Sequence, residues 1–254
     1  FINKSSYILK KFANIYIFLL RFILKHKNIK VIVQNKDDKF FYKNELNVKN
    51  NSIQLIPGSG VNFEIFKNTQ NIQKENIVLL PARMLKDKGV KEFYEAARIL
   101  KIEFPEWRFI LAGTADYNNP TSISKDEINA WVNEGSIEWL GHCNNMVSLY
   151  LSSRIVCLPS YREGLPKALI EAAAAKCAVV TSDVTGCRES ILPNISGLLV
   201  EPKNIDSLCS ALRKLINNPI MINEFGDNGF SWGSKRFAIQ NVLDETIKTY
   251  HELV

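Results

Sequence analysis

From residue 77 onward, short apolar runs alternate with segments of helical period. Runs rich in Val, Ile and Leu fall at 77–80, 107–113, 137–140, 155–158, 178–181 and 196–200, and each reads as a buried strand. Between them, 90–101, 125–133, 146–151, 165–176 and 205–216 read as helices, and 236–253 as a closing one. In the first of these helices Val90, Phe93, Ala96, Ala97 and Leu100 recur at helical spacing, and Ser124 supplies a start for the second. Such alternation, with near-continuous apolar strands, predicts an α/β fold: a doubly wound parallel sheet covered on both faces, over about 77–230.

The earlier part is less regular. The run at 15–24 is strongly apolar, with Arg21 inside it and Lys10, Lys11, Lys25 and Lys27 around it. It is too short to span a bilayer, which takes about 20 apolar residues. It reads as a helix packed on a sheet, as an interfacial helix on an anionic membrane, or as both with one edge exposed. Segments 29–35 and 53–56 read as strands, with a short helix starting at Asp37-Asp38 and carrying Phe40, Phe41 and Tyr42. Pro57-Gly58-Ser59-Gly60 ends the second strand, and the polar stretch 67–76 reads as a linker or surface loop.

Charge and cysteine usage narrow the function classes. A net charge of +6 over 254 residues suits an anionic substrate or a membrane surface. No basic helix with base-reading spacing occurs, so nucleic acid is not an expected partner. The five cysteines include no C-x-x-C pair and are odd in number, which reads as reduced thiols used as small apolar residues. His26, His142 and His251 are too scattered for a zinc site. The chain opens mid-pattern at Phe1, without Met and without a signal-peptide cleavage site, and reads as a piece of a longer chain.

In a doubly wound sheet the ligand lies at the carboxyl ends of the strands. The residues there are Arg83, Gly113, Gly141-His142, Tyr161 to Gly164, and Ser182-Asp183. Pro166 suits a first helical position, which leaves Glu163 in the loop before a helix and Glu171 about five residues inside it. At ~1.5 Å rise per residue the two carboxylates are offset by roughly 7 Å, a separation suited to two hydroxylated groups joined by a pyrophosphate. The helix N-terminus between them offers N–H groups and a positive dipole end. Taken alone, two such glutamates also fit a helix-start charge and a solvated face. Arg83 and Lys88, in the loop after the first strand, add cations that can neutralise a diphosphate. No Asp-x-Asp motif, no G-x-G-x-x-G after the first strand and no P-loop lysine motif occurs.

This ordered set resembles the family-4 retaining glycosyltransferases of GT-B fold. The matching residues are Pro57-Gly58-Ser59-Gly60-Val61-Asn62, Ala82-Arg83 with Lys88-Gly89, and Leu158-Pro159-Ser160-Tyr161-Arg162-Glu163-Gly164 with Glu171. Asp183, Gly186, Glu189 and Gly197-Leu198-Leu199-Val200 complete it. The segment Lys88 to Ala97 is similar to bacterial enzymes that add N-acetylhexosamine to undecaprenyl-diphosphate-linked acceptors. The resemblance implies that Arg83 and Lys88 hold the donor diphosphate and stabilise the leaving group, and that Glu171 binds the ribose. Glu163, with the N–H groups of Gly164 and Leu165, would bind the transferred sugar. Leu140 to His142 would meet the base, His142 as a wall residue, and Ser59-Gly60 would approach from the hinge.

Transfer would proceed with retention, without metal or cofactor, from a nucleotide-diphosphate-sugar (UDP-linked) to a lipid-linked or glycan acceptor. The expected setting is cytoplasmic, peripheral on the inner face of the cell membrane. The expected organisation is residues 1–56 as the remnant of an N-terminal acceptor-side domain, 57–76 as hinge, 77–230 as the nucleotide-sugar domain and 231–254 as a C-terminal helix. With most of the first domain absent, such a fragment should bind donor weakly and transfer little. A nucleotide-sugar-binding module without turnover is the alternative. A sugar-nucleotide epimerase or oxidoreductase is opposed by the missing dinucleotide fingerprint.

Overall fold

The computed structural model describes residues 4–26, 28–69, 72–116 and 118–253. The opening Phe1-Ile2-Asn3, Lys27, and Gln70-Asn71 of the expected hinge lie outside the described residues, as do the side chains of Lys10 and Lys11. The chain forms two compact units, one of residues up to Pro57 together with those from Val242 on, the other Gly58–Asn241.

The first unit holds α1 (Lys4–Ile23), β1 (Val31–Val33), α2 (Lys36–Asn44) and β2 (Ile53–Leu55). β1 and β2 pair in parallel, Val31 opposite Ile53. Asn35 caps α2 by accepting from the Asp38 N–H at 2.7 Å, and Asp37 and Asp38 sit in its first turn, where the helix dipole favours acids. Val33, Leu46, Val48 and Ile53 form a small core, against which Ile17, Leu20 and Leu24 pack. The other side of α1 leaves Phe12, Tyr16, Phe18, Leu19 and Phe22 exposed. Among the described residues no helix is long and apolar enough to cross a membrane.

The second unit contains α3 (Phe63–Asn68), β3 (Glu75–Pro81), α4 (Val90–Glu103), β4 (Arg108–Ala112), α5 (Lys125–Asn133), β5 (Glu138–Trp139) and α6 (Met146–Ser152). After them come β6 (Ser153–Leu158), α7 (Lys167–Ala174), β7 (Ala178–Ser182), β8 (Gly197–Val200), α8 (Ile205–Ile216) and α9 (Pro219–Arg236). A last helix, α10 (Ile239–His251), follows. The sheet order is β5-β4-β3-β6-β7-β8, all pairs parallel. β3 and β6 lie side by side although α4, β4, α5, β5 and α6 separate them in sequence. Crossovers run one way from β3 and the other way from β6, so the gap between their carboxyl ends is the topological switch point.

Alternation along the strands builds a core on each face. Val78 and Leu80, with Ile155 and Cys157, meet α4, α5 and α8. Ile77 and Leu79, with Val156 and Leu158, meet α3, α6 and α7. The stretch expected as a hinge carries α3, capped by Asn62, with Phe63 and Phe66 buried in the second core.

The C-terminal part differs from expectation. The closing helix expected over 236–253 is α10, from Ile239 to His251, but ahead of it the structure has a helix that the apolar pattern does not mark, α9 from Pro219 to Arg236. Gly226, Gly229 and Gly233 lower the helical signal of α9, but all three are buried contacts. They separate under substitution. A Cβ at Gly226 would lie 2.3 Å from the Lys176 carbonyl oxygen, whereas one at Gly229 would meet only side-chain and Cα carbons at 3.5 Å or more. Helix propensity alone favours alanine at both by about 1 kcal/mol. Gly229→Ala is therefore expected to raise the thermal unfolding midpoint. Gly226→Ala is expected to lower it by several degrees, because forced overpacking costs about 1–3 kcal/mol. Scanning calorimetry of the two variants checks the opposite signs.

Candidate functional site

Two adjoining hollows lie at the switch point. One, of about 310 Å³, is lined by Arg83, Gly113, Thr114, His142, Cys143, Met146, Tyr150 and Glu171. The other, of about 220 Å³, is lined by Arg83, Lys88, Leu158, Glu163, Pro166 and Lys167. Pro81, Ala82, Arg83 and Ala168 border both, so the end of β3 and the start of α7 form a shared ridge.

Chain crossings hold the smaller hollow. Gly89 follows a single 3-10 turn at Lys86–Lys88 and takes φ 71°, and a Cβ there would lie 2.2 Å from the Pro159 carbonyl oxygen. The loop carrying Lys88 can therefore touch the loop carrying Glu163. Gly186 does the same from the β7 side, where a Cβ would fall 2.5 Å from the Glu163 carbonyl oxygen, and the Glu163 N–H donates to Thr185 O at 3.2 Å. Tyr161 ties the two loops again: its N–H donates to Asp87 O at 2.9 Å and its hydroxyl to Glu92 Oε1 at 2.6 Å. Burial, then the Glu92 carboxylate, pushes the Tyr161 phenol well above its ordinary pKa, so it stays a donor.

Within this frame Lys88 Nζ donates to Glu163 Oε1 at 2.5 Å, and Ser160 Oγ donates to the same oxygen at 2.8 Å. The pair is largely buried, with side chains 22% and 13% exposed. Arg83 is mostly exposed and its Nη1 reaches Asp116 Oδ2 at 2.9 Å. In the larger hollow Tyr150 and Glu171 line the same wall. Burial, then the Glu171 charge, raises the Tyr150 phenol far above its usual pKa, so it stays protonated near the carboxylate. Lys167 Nζ approaches Glu171 Oε1 at 3.5 Å from the solvent side.

The structure thus brings Arg83, Lys88, Glu163, His142 and Glu171 to one cleft, with Glu163 and Glu171 on either side of the ridge. Pro166 stands at the cap rather than inside the helix, and Glu171 is the fifth helical residue. Ser59, Gly60, Leu140, Gly164 and Leu165 do not line either hollow. Ser59 is exposed, Gly60 is packed on the Ile239 backbone, Leu140 points to solvent and Leu165 is buried in the core. Sequence reasoning passes over Tyr150, Asp116, Cys143 and Lys167. Of these Lys167 carries a signal, a cation at the start of the very helix already singled out.

An α/β domain with its cleft at a Rossmann-type switch point is a broad class, and comparison narrows it. A family described as glycosyl transferases group 1 matches residues 61–232, more than half of the chain, and the protein belongs to that family. It is 34% identical over 215 residues to the N,N'-diacetylbacillosaminyl-diphospho-undecaprenol alpha-1,3-N-acetylgalactosaminyltransferase of Campylobacter jejuni, covering 80% of this chain and 54% of that one. It is 24% identical to the capsular polysaccharide biosynthesis glycosyltransferase CapM of Staphylococcus aureus, covering 66% of this chain and 44% of that one. The chain spans about half the length of the curated relatives it matches. Among solved structures, sucrose-phosphate synthase from Thermosynechococcus elongatus superposes with a TM-score of 0.78 at 23% identity, over 93% of this chain and 61% of that one. Anabaena Alr3699/HepE in complex with UDP and glucose gives 0.76 at 16% identity, over 93% and 67%. At these identities the likeness is one of fold, and the fold is of the GT-B type.

Cys143 offers a chemical probe of the cleft. It is partly exposed and lines the larger hollow, whereas Cys157, Cys177, Cys187 and Cys209 are buried. Burial pushes the Cys187 thiol up to about 12 and raises the other three buried thiols as well. In the native protein, iodoacetamide at pH 8 is expected to label Cys143 ahead of the others. A ligand filling the cleft should slow that labelling. Mass spectrometry of the digested protein reads both.

Proposed function

We propose that the cleft binds a nucleoside-diphosphate sugar, UDP-linked, and that the protein moves its hexosyl or N-acetylhexosaminyl group, with retention, to a lipid-linked or polysaccharide acceptor in surface glycan assembly. The observation that carries the reading is the shared ridge: Arg83 and the start of α7 border both hollows, with Lys88 and Glu163 lining one and Glu171 lining the other. The relatives in Campylobacter jejuni and Staphylococcus aureus, named for undecaprenol-linked and capsular products, support the acceptor class.

In this reading Glu171 accepts from the ribose hydroxyls, and the wall from Gly113 to His142 receives the base. The diphosphate sits over the ridge, where the first N–H groups of α7 point and the helix dipole is positive. Glycosyl transfer leaves negative charge on the departing diphosphate, and Arg83 and Lys88 are placed to stabilise it as it grows. Glu163 has one oxygen taken by Lys88 and Ser160, which fixes the carboxylate for a sugar hydroxyl on the other.

The acceptor class implies a peripheral location on the cytoplasmic face of a membrane. In support, residues 1–57 with 242–254 carry 12 Lys and Arg against 6 Asp and Glu, while 58–241 is balanced at 20 of each. Stronger sedimentation with anionic than with neutral vesicles is the check on this part.

The donor assignment is tested with nucleotide-sugars. A ligand at a hundredfold excess over its Kd stabilises the folded state by about 2.7 kcal/mol, so the true donor should raise the melting temperature clearly. Absence of any shift with uridine or guanosine diphosphate sugars would contradict the reading. In the enzyme, Glu171→Ala is expected to weaken donor affinity, and Arg83→Ala to lower kcat more than it raises KM. Unchanged turnover in Arg83→Ala would remove the phosphate assignment.

A further inference from the structure

We infer that Lys167 is a third cation for the donor diphosphate, released to it when the ribose engages Glu171; this rests on the donor reading above. Lys167 opens α7 and lines the smaller hollow beside Arg83, Lys88 and Glu163. Its partner Glu171, four residues on, lines the larger hollow. One ion pair therefore spans the ridge at Ala168 and connects the two halves of the cleft.

As a device for stabilising a helix this pair is built the wrong way round. At a spacing of four, the acid is better placed on the N-terminal side of the lysine. A cation in the first turn also opposes the helix dipole. The first turn of α7 contains no acid to offset it. Local rules broken together, at the lip of a cleft, point to a demand other than stability.

The demand available here is an anion. Of the three cations on the smaller hollow, Lys88 is closed by Glu163 at 2.5 Å and Arg83 by Asp116 at 2.9 Å. The Lys167–Glu171 contact is longer, at 3.5 Å, and Lys167 is 61% exposed. Lys167 is thus the cation most easily drawn away, and its partner is the group proposed to receive the ribose. Hydroxyl groups donating to Glu171 satisfy that carboxylate and lower its hold on Lys167. The ammonium then turns to the diphosphate. Nucleoside and diphosphate engagement are in this way coupled through one salt bridge.

Calorimetric titration of the wild-type protein, Lys167→Ala and Lys167→Arg with UDP, GDP, uridine and guanosine tests the inference. Without the charge-assisted hydrogen bond from Lys167 to the diphosphate, the advantage of nucleoside diphosphate over nucleoside should fall roughly tenfold in Lys167→Ala. Nucleoside affinity itself should change less than about twofold, and Lys167→Arg should recover most of the advantage. An unchanged diphosphate-to-nucleoside ratio in Lys167→Ala overturns the inference and leaves the donor reading standing. Equal losses for nucleoside and diphosphate also overturn it, since Lys167 would then serve Glu171 alone. Failure of the wild-type protein to bind either diphosphate overturns the inference and the donor reading together.

Discussion

The ion pair of Lys88 and Glu163 is the contact on which the site depends. It joins the loop after β3 to the loop after β6, across the point where the winding of the sheet reverses. Removing one member of a well-buried pair leaves an uncompensated charge, a loss of about 3–5 kcal/mol in the cases measured. The loops therefore have to keep their register. Gly89 against Pro159 and Gly186 against Glu163 permit the approach, and Tyr161 with Glu92 locks it from the far side. What results is a rigid lip with one glutamate oxygen committed and positive charge concentrated beside it.

On the other side of the ridge the arrangement is softer. Glu171 is loosely countered by an exposed lysine. A rigid half and an adjustable half suit a ligand with a constant diphosphate between two hydroxylated ends. Such a division also lets engagement of the nucleoside end favour engagement of the diphosphate, through Lys167.

Much of the architecture is legible in the sequence because buried strands show as apolar runs, as β3, β4, β6, β7 and β8 do, whereas the edge strand β5 is only Glu138-Trp139. The acids and bases at strand ends are legible for a related reason: topology sends every strand end to the same edge. What stays hidden is contact between distant segments. Helix α9 escapes because its glycines, unfavourable for a free helix, are needed where it crosses Lys176 and Phe63. Helix α3 escapes because its apolar content is brief, and only burial of Phe63 and Phe66 reveals its place. Tyr150 reads as an ordinary core residue, since nothing local says that it lines the cleft with Glu171. The Gly58-Ser59-Gly60 turn reads as donor-facing, whereas Gly60 serves a close approach to Ile239.

The proposed placement has one diphosphate over the β3–α7 ridge, between Glu163 and Glu171. A crystal structure of the protein soaked with UDP would decide it. The expected result is phosphate oxygens within hydrogen-bonding reach of Arg83, Lys88 and the first amides of α7, with the ribose hydroxyls on Glu171. A nucleotide found elsewhere, or one seated in the cleft with its ribose away from Glu171, would contradict it.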